Sequence, residues 1–311
     1  MNYRNVQAPT AVVMVRPHRF RVNPQTLTDN AFQALPTGEP AASDAIAAAA
    51  RAEFDAAAEQ LCAAGVTVHV FDDFGQLDTP DSVFPNNWFS THHGGRIAIY
   101  PMYAPNRRRE RRSDVIELLK STYRVQEVID YSGLEYDNLF LEGTGAMVLD
   151  HAERLAYVAN SHRADPVILE RFCTAFGYEP MAFPTMGPDG RPVYHTNVMM
   201  GIASEYVLVC LDAISDPQRR NEVAARLAGS GRAVLQLSFE QVADFAGNTI
   251  ELTGSGGRVL ALSSRAAASL TDAQRATIEE SATLLPLPIP TIERAGGSVR
   301  CMIAGVHLTP R

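Results

Sequence analysis

Glu142, His195, Asn248 and Cys301 follow one another at a spacing of 53 residues, and a step of 55 back from Glu142 reaches Asn87. A carboxylate, an imidazole and a thiol at equivalent points of a repeated pattern are the parts of a covalent hydrolase. A cysteine close to a histidine can be held as a thiolate, the form that attacks carbon, and the histidine can later protonate the leaving group. A carboxylate beside the imidazole fixes its orientation and supports its charged state. Cys62, Cys173 and Cys210 share no such register and are expected to be small buried hydrophobes. His92, His93, His162 and His307 lack a partner in phase and are expected at the surface or in turns, and His69 within the alternation of a strand.

The elements around these residues repeat with them. Phe84-Pro85-Asn86-Asn87-Trp88 leads into Arg96-Ile97-Ala98-Ile99-Tyr100, a helix starting near Ser113-Asp114 and a strand over 125–130. Leu141-Glu142-Gly143-Thr144-Gly145 opens a hairpin to Leu155-Ala156-Tyr157-Val158, a helix from Asp165-Pro166 and a return near Met181-Ala182-Phe183. Tyr194-His195-Thr196-Asn197 and Gly247-Asn248-Thr249-Ile250 open two more such units, with helix starts at Asp216-Pro217 and Thr271-Asp272. Aspartate before proline is a cap followed by a residue preset for the first helical position. The last unit opens at Cys301, at the mouth of an apolar run that reads as a strand after Gly296-Gly297, and the chain ends at Arg311. Its remaining parts are a buried strand over 11–16, an alanine-rich helix capped by Ser43-Asp44 and a strand over 66–70. Five ββαβ units with one shared between the termini imply a closed ring, in which equivalent positions converge on the axis. Glu142, His195 and Cys301 are then expected in one cavity with Asn87 and Asn248.

At 311 residues and 46% hydrophobic content, the chain can bury a large core. A net charge of −8 argues against nucleic acid, which needs a basic face. The one dense basic run, Arg107-Arg108-Arg109-Glu110-Arg111-Arg112, reads as a solvated helix entry. The four cysteines form no CxxC pair, which disfavours a structural zinc site or a disulfide framework and points to a reduced compartment. The first ten residues lack a basic, then apolar, leader, and no apolar run reaches the length of a membrane span. A soluble cytoplasmic protein without a membrane partner is expected.

Glu142-Gly143-Thr144-Gly145, His195-Thr196-Asn197 and Gly296-Gly297-Ser298-Val299-Arg300-Cys301-Met302, in this order, resemble the pentein, or guanidino-group-modifying, superfamily. That group includes arginine deiminase, dimethylargininase and the amidinotransferases, and the resemblance covers essentially the whole chain. It implies an α/β fold, a five-bladed propeller forming a single catalytic domain over 1–311. It also implies a cofactor-free and metal-free reaction through a covalent cysteine intermediate that water hydrolyses. Cys301 would be the nucleophile, His195 the general acid and base, and Glu142 its partner. Asp81-Ser82-Val83-Phe84 and Ala104-Pro105-Asn106-Arg107-Arg108 look like segments of the dimethylargininase branch.

Arginine deiminases usually carry aspartates near the positions of Asn87 and Asn197, where they clamp the guanidinium. A carboxylate only accepts hydrogen bonds and suits a donor-only guanidinium, whereas an amide both donates and accepts and suits a neutral ureido group. The Phe84-Pro85-Asn86-Asn87-Trp88 stretch resembles the citrulline-utilization hydrolases, which cleave citrulline to ornithine, ammonia and carbon dioxide. The expected partner is thus a small ureido or guanidino amino acid, citrulline first. Asn87, Asn197 and Asp81 are expected to hold the reacting group, with Asn86 and Asn248 as further binding residues. Arg16, Arg107 and Arg300 stand as candidates for the substrate carboxylate. The alternatives are an arginine deiminase or dimethylargininase, a non-catalytic amino-acid-binding ring and, with less support, a metalloenzyme. Asn86-Asn87 could also be a simple turn pair. Nothing in the sequence sets an oligomeric state.

Overall fold

The computed structural model describes residues 6–27, 30–33 and 42–311. In chain order its strands are β1 (Ala11–Pro17), β2 (Thr67–Asp73), β3 (Phe89–His92), β4 (Arg96–Ile99), β5 (Glu127–Asp130), β6 (Met147–Asp150), β7 (Leu155–Ala159) and β8 (Glu179–Phe183). They continue with β9 (Met200–Ile202), β10 (Tyr206–Val209), β11 (Ala233–Gln236), β12 (Ile250–Gly254), β13 (Gly257–Ser263), β14 (Thr283–Leu287) and β15 (Ala304–Gly305). These strands make five three-stranded sheets, ordered β3-β4-β5, β6-β7-β8, β9-β10-β11, β12-β13-β14 and β15-β1-β2. In each sheet the first two strands are antiparallel and the last two parallel. A parallel return needs a crossover, and a helix fills each one: Ala42–Ala63, Ser113–Thr122, Pro166–Phe176, Pro217–Gly229 and Asp272–Glu279.

The cap chemistry legible in the sequence starts three of these helices. Asp165 accepts from the backbone N–H of Val167 and Ile168, Asp216 from those of Gln218 and Arg219, and Thr271 forms a reciprocal capping box with Gln274. The helix of the shared unit begins at Ala42, one residue before the cap expected at Ser43-Asp44, and residues 28–29 and 34–41 of the connection from β1 lie outside the described residues.

β3, β6 and β9 are buried along their whole length, as are β7 and β10, whereas β5 and β11 contain no buried residue, so the parallel return strand is the outermost in the sheets of β5 and β11. Apolar clusters join neighbouring sheets. Val13, Ala304 and Leu308 pack with Phe89 and Ile97; Ala98 and Tyr100 pack with Met147 and Ala156. Tyr157 and Phe183 join Val207, Leu208 and Leu262, and Leu252 and Ala261 join Val12, Met14 and Ile303. No helix among the described residues is long and apolar enough to cross a membrane.

Three local expectations are corrected. Cys301 sits in a single helical turn, Val299–Met302, because Ser298 O accepts from the N–H of Cys301 at 3.0 Å, and the strand begins only at Ala304. Cys62 is exposed, since it falls on the outer face of a long helix, while Cys173 and Cys210 are buried. His92 is not a surface residue: it ends the fully buried β3, bonded to Ser90 Oγ at 2.6 Å. It belongs to an interior group in which His307 stacks on His151 at 3.8 Å and Tyr178 OH meets His151 Nδ1 at 2.8 Å. His69 lies in β2, as expected, against Tyr123 OH at 2.7 Å.

Candidate active site

The repeat places each polar residue in the turn that immediately precedes the first strand of a sheet. Asn87 ends a 3-10 turn, Pro85–Asn87, before β3, and Glu142 precedes the turn Gly143–Ala146 before β6. His195 precedes Thr196–Val198 before β9, Asn248 stands two residues before β12, and Cys301 three before β15. Gly143 takes φ +47°, and a side chain there would press on the backbone oxygens of Asn86 and Asn87, so the entry to the Glu142 turn requires glycine. Thr196 ties the neighbouring turns together, donating to Ala146 O at 2.5 Å and accepting from the N–H of Ala159 at 2.7 Å.

His195 Nε2 lies 2.8 Å from Glu142 Oε2. Glu142 also accepts from Arg163 Nη1 at 3.2 Å and from the N–H of Tyr103 at 2.9 Å. Burial works against ionisation of Glu142, but Arg163, His195 and Arg107 outweigh it and hold the carboxyl well below its usual range. An ionised carboxylate only accepts, so Nε2 carries the imidazole proton and Nδ1 is the basic nitrogen. A side chain on Gly145 would overlap Asn87 Nδ2 and stand 2.9 Å from His195 Nδ1, so glycine is what keeps this face open. Burial pushes His195 down to about 4, with Glu142 opposing, and the ring is neutral at pH 7.

Cys301 Sγ accepts from two amides, Asn197 Nδ2 and Asn248 Nδ2, each at 3.2 Å. The oxygens of both amides are buried without a partner among the described residues. Cys301 and His195 share the wall of a cavity of about 20 Å3 with Asp81, Asn87, Arg107 and Arg163, and with Thr26 and Asn30 from the segment after β1. Asn86, Asn197 and Asn248 are not part of that wall. Asn86 is fully buried with neither side-chain polar atom partnered among the described residues, and its backbone oxygen accepts from Thr144 Oγ1 at 3.2 Å. Asp81 Oδ2 accepts from Asn23 Nδ2 at 2.7 Å, whereas Oδ1 is buried and unpartnered among the described residues.

The basic run contradicts its reading as a solvated helix entry. Arg107 and Glu110 are each only 4% exposed, because Arg107 turns inward from the 3-10 turn Arg107–Glu110. Its Nε and Nη2 bind the two Glu110 oxygens at 2.9 Å, and Nη1 donates to Asn87 Oδ1 at 2.9 Å. Of the arginines named from sequence, only Arg107 reaches the cavity. Arg16 pairs with Asp55 and Asp72, and Arg300 donates to Ile303 O. Arg163 was missed, and no repeat position or motif marks it. Among the described residues no group of three or more His, Cys, Asp or Glu side chains is placed to hold a metal ion.

The family described as N,N dimethylarginine dimethylhydrolase, eukaryotic, matches residues 16–308. No curated protein matches the chain in sequence. Among solved structures it is similar to ArgZ, an arginine dihydrolase from the ornithine–ammonia cycle in cyanobacteria (TM-score 0.69, 15% identity, 94% of this chain and 40% of that one). It is similar to the substrate-bound N-terminal domain of ArgZ (TM-score 0.69, 14% identity, 96% of this chain and 99% of that one). It is also similar to a dimethylarginine dimethylaminohydrolase adduct (TM-score 0.64, 14% identity, 95% of this chain and 99% of that one). At these identities the likeness is one of fold, and the chain spans 40% of the length of the whole ArgZ chain.

Proposed function

The chain belongs to the N,N dimethylarginine dimethylhydrolase family, a C–N hydrolase of the guanidino-group-modifying superfamily, and from that premise we propose that it cleaves the ureido group of citrulline to give ornithine, ammonia and carbon dioxide. The observation that carries this reading is what surrounds the sulfur. Its two hydrogen-bond partners are amides, and the cavity wall beyond them presents two guanidinium groups, Arg107 and Arg163. Glu142 and Glu110 are already engaged by Arg163, His195 and Arg107. A further guanidinium would add a cation beside two others, whereas a neutral ureido group adds none.

The reaction then runs on the residues of this chain. Cys301 Sγ attacks the ureido carbon as its proton passes to His195 Nδ1. His195 returns that proton to the departing nitrogen, leaving a thiocarbamate on sulfur. Water, deprotonated by His195, cleaves the thiocarbamate to a carbamate that decomposes to amine and carbon dioxide. Glu142 keeps the imidazole oriented and stabilises its charged form. A cavity of about 20 Å3 holds little more than a water molecule, so its wall must open for an amino acid to reach the sulfur.

The five sheets are read as blades of a closed ring within one catalytic domain. The sheet shared by β15, β1 and β2 supports this, as do the clusters that join each sheet to the next. So does Gln7, whose Nε2 reaches both Leu149 O and Ile202 O at 3.1 Å.

A second reading, an arginine deiminase or dimethylargininase, is favoured by one observation: Asp81 lines the cavity with an unpartnered carboxylate oxygen. Against it, burial pushes that carboxyl up, with Arg107 opposing. The deciding experiment gives purified protein citrulline, arginine and dimethylarginine in parallel. Ornithine and ammonia from citrulline are expected; citrulline formed from arginine or dimethylarginine would establish the second reading instead.

A further inference from the structure

Ser298 stands where a serine ordinarily caps its own helical turn, and it does not cap it. A capping oxygen here would accept from the backbone N–H of Arg300 or Cys301, the second and third residues of the turn Val299–Met302. Ser238, Ser263 and Thr271, in the same place before other helices, each accept from the third residue in this way. At Ser298 no such bond forms. The hydroxyl donates instead to Glu293 Oε1 at 2.8 Å, and both side chains are buried. Glu293 is itself fastened. It lies in the 3-10 turn Ile292–Arg294, whose start is gripped by Glu53 of the helix Ala42–Ala63, accepting from the N–H of Thr291 at 2.9 Å and of Ile292 at 3.1 Å.

The diverted serine leaves the two N–H groups to other acceptors. Asn248 O accepts from the N–H of Arg300 at 3.3 Å, and Ser298 O from that of Cys301 at 3.0 Å. The first of these bonds joins the Cys301 turn to the neighbouring unit, through the same Asn248 whose Nδ2 stands 3.2 Å from Cys301 Sγ. A hydroxyl that swung back to cap would compete with Asn248 O for the Arg300 N–H. Without Glu293 the buried hydroxyl loses its partner, and the cap is the bond within its reach.

We propose that Glu293 is a positioning residue for Cys301: by taking the Ser298 hydroxyl it keeps that serine from capping its own turn, and so keeps the sulfur docked against the Asn248 amide. Neither Glu293 nor Ser298 lines the cavity, so the effect passes through the turn and not through contact with substrate. The inference rests on the reading of Cys301 as the nucleophile and adds to it a residue that never meets the reacting group.

The test measures alkylation of Cys301 by iodoacetamide at neutral pH, together with kcat and KM for citrulline, in the wild type, Glu293→Gln, Glu293→Leu, and Glu293→Leu combined with Ser298→Ala. Glu293→Gln still offers the hydroxyl an oxygen and should stay within about twofold of the wild type. Glu293→Leu removes the acceptor. Alkylation of Cys301 and kcat should then each fall by about tenfold or more, with KM and the labelling of the exposed Cys62 unchanged. Adding Ser298→Ala takes away the hydroxyl that would cap, and should bring both rates back to within about threefold of the wild type. A merely structural Glu293 gives the reverse, a double variant at least as impaired as the single one, and that result would overturn the proposal. Unchanged rates in Glu293→Leu would overturn it too, as would equal losses in Glu293→Gln and Glu293→Leu, which would make the charge and not the hydroxyl decisive. Glu293→Met takes the place of Glu293→Leu if the latter does not fold, and failure of both to fold would reduce Glu293 to a core residue and end the proposal. Failure of the functional reading is separate: a wild type that releases no ornithine from citrulline removes that reading, whereas the alkylation rates report on Glu293 in either case.

Discussion

His195 and Glu142, one repeat of 53 residues apart, are joined by a hydrogen bond of 2.8 Å that is wholly buried. The same carboxylate is clamped by Arg163, so its charge is shared between a fixed cation and an imidazole that is neutral at pH 7. Glu142→Gln preserves the shape of the side chain but removes the charge that supports a protonated His195. A loss of about 10²- to 10⁴-fold in kcat is expected, with KM changed far less. The buried ion pair between Glu142 and Arg163 is broken at the same time, so unfolding free energy should drop by about 3–5 kcal/mol, measurable by urea denaturation. Wild-type turnover in this variant would exclude Glu142 as the support of a protonated His195.

The sulfur offers a second check. Asn197 and Asn248 each donate to Cys301 Sγ at 3.2 Å, and removing either donor should disfavour the thiolate. Asn197→Ala and Asn248→Ala are each expected to slow alkylation of Cys301 at neutral pH by about tenfold. The other cysteines serve as internal references when labelling is followed by site-resolved mass spectrometry. Burial pushes Cys173 up to about 12 and raises Cys210, so these two should stay unlabelled, while the exposed Cys62 reacts at an ordinary rate. Unchanged Cys301 labelling in both variants would show that the amides do not tune the sulfur.

Stability should depend on pH through the buried imidazoles. Burial pushes His195 down to about 4, with Glu142 opposing, and His307 down to about 4, with Arg300 adding to the effect. His92 and His151 are lowered in the same direction by burial and by the neighbouring His307 and Arg154. A folded value below the ordinary one means that the unfolded chain takes up these protons first as pH falls. Stability from His195 and His307 is therefore complete above the ordinary 6.5 and is lost between 6.5 and about 4, and that from His92 and His151 is lost in the same direction as pH falls below 6.5. The lowered Glu142 contributes with the same sign, but only at pH below the ordinary carboxylate value of 4.5. Tm should thus fall on acidification from pH 7, and His307→Gln should remove about one proton from that dependence. A Tm flat from pH 7 to 4.5 would contradict the neutral interior.

The register of the site was legible because each polar residue occupies the same turn before a first strand, and because Asp165, Asp216 and Thr271 cap helices at matching distances. The histidine group was not. β3 is buried on both faces, so it carries no alternation from which an inward His92 could be told from an outward one, and His151 lies in the turn after β6. Arg107 was hidden for another reason. It stands in a run of five arginines broken by Glu110, and only the fold of a four-residue 3-10 turn sends it and Glu110 inward while Arg109 reaches out to Asp78. Arg163 has no counterpart in the other units. Its meeting with Glu142 depends on a pairing between turns, seen in the bond from Glu142 N–H to Arg163 O at 3.1 Å.

Asn87 and Asn197, which look equivalent in sequence, should respond differently to the same substitution. Asn87 lines the cavity and is held by Arg107, so Asn87→Asp puts an acceptor where the reacting group sits and should shift kcat/KM from citrulline toward arginine by about tenfold or more. Asn197 instead contacts the sulfur, and Asn197→Asp would place a carboxylate about 3.2 Å from the developing thiolate. Like charges at that distance oppose ionisation of the thiol, so turnover of both substrates should fall together with no change in preference. Steady-state kinetics on the two single variants separate these outcomes. A preference that moves equally in both would mean that Asn197, too, touches the substrate, and that its bond to Cys301 gives way when substrate enters.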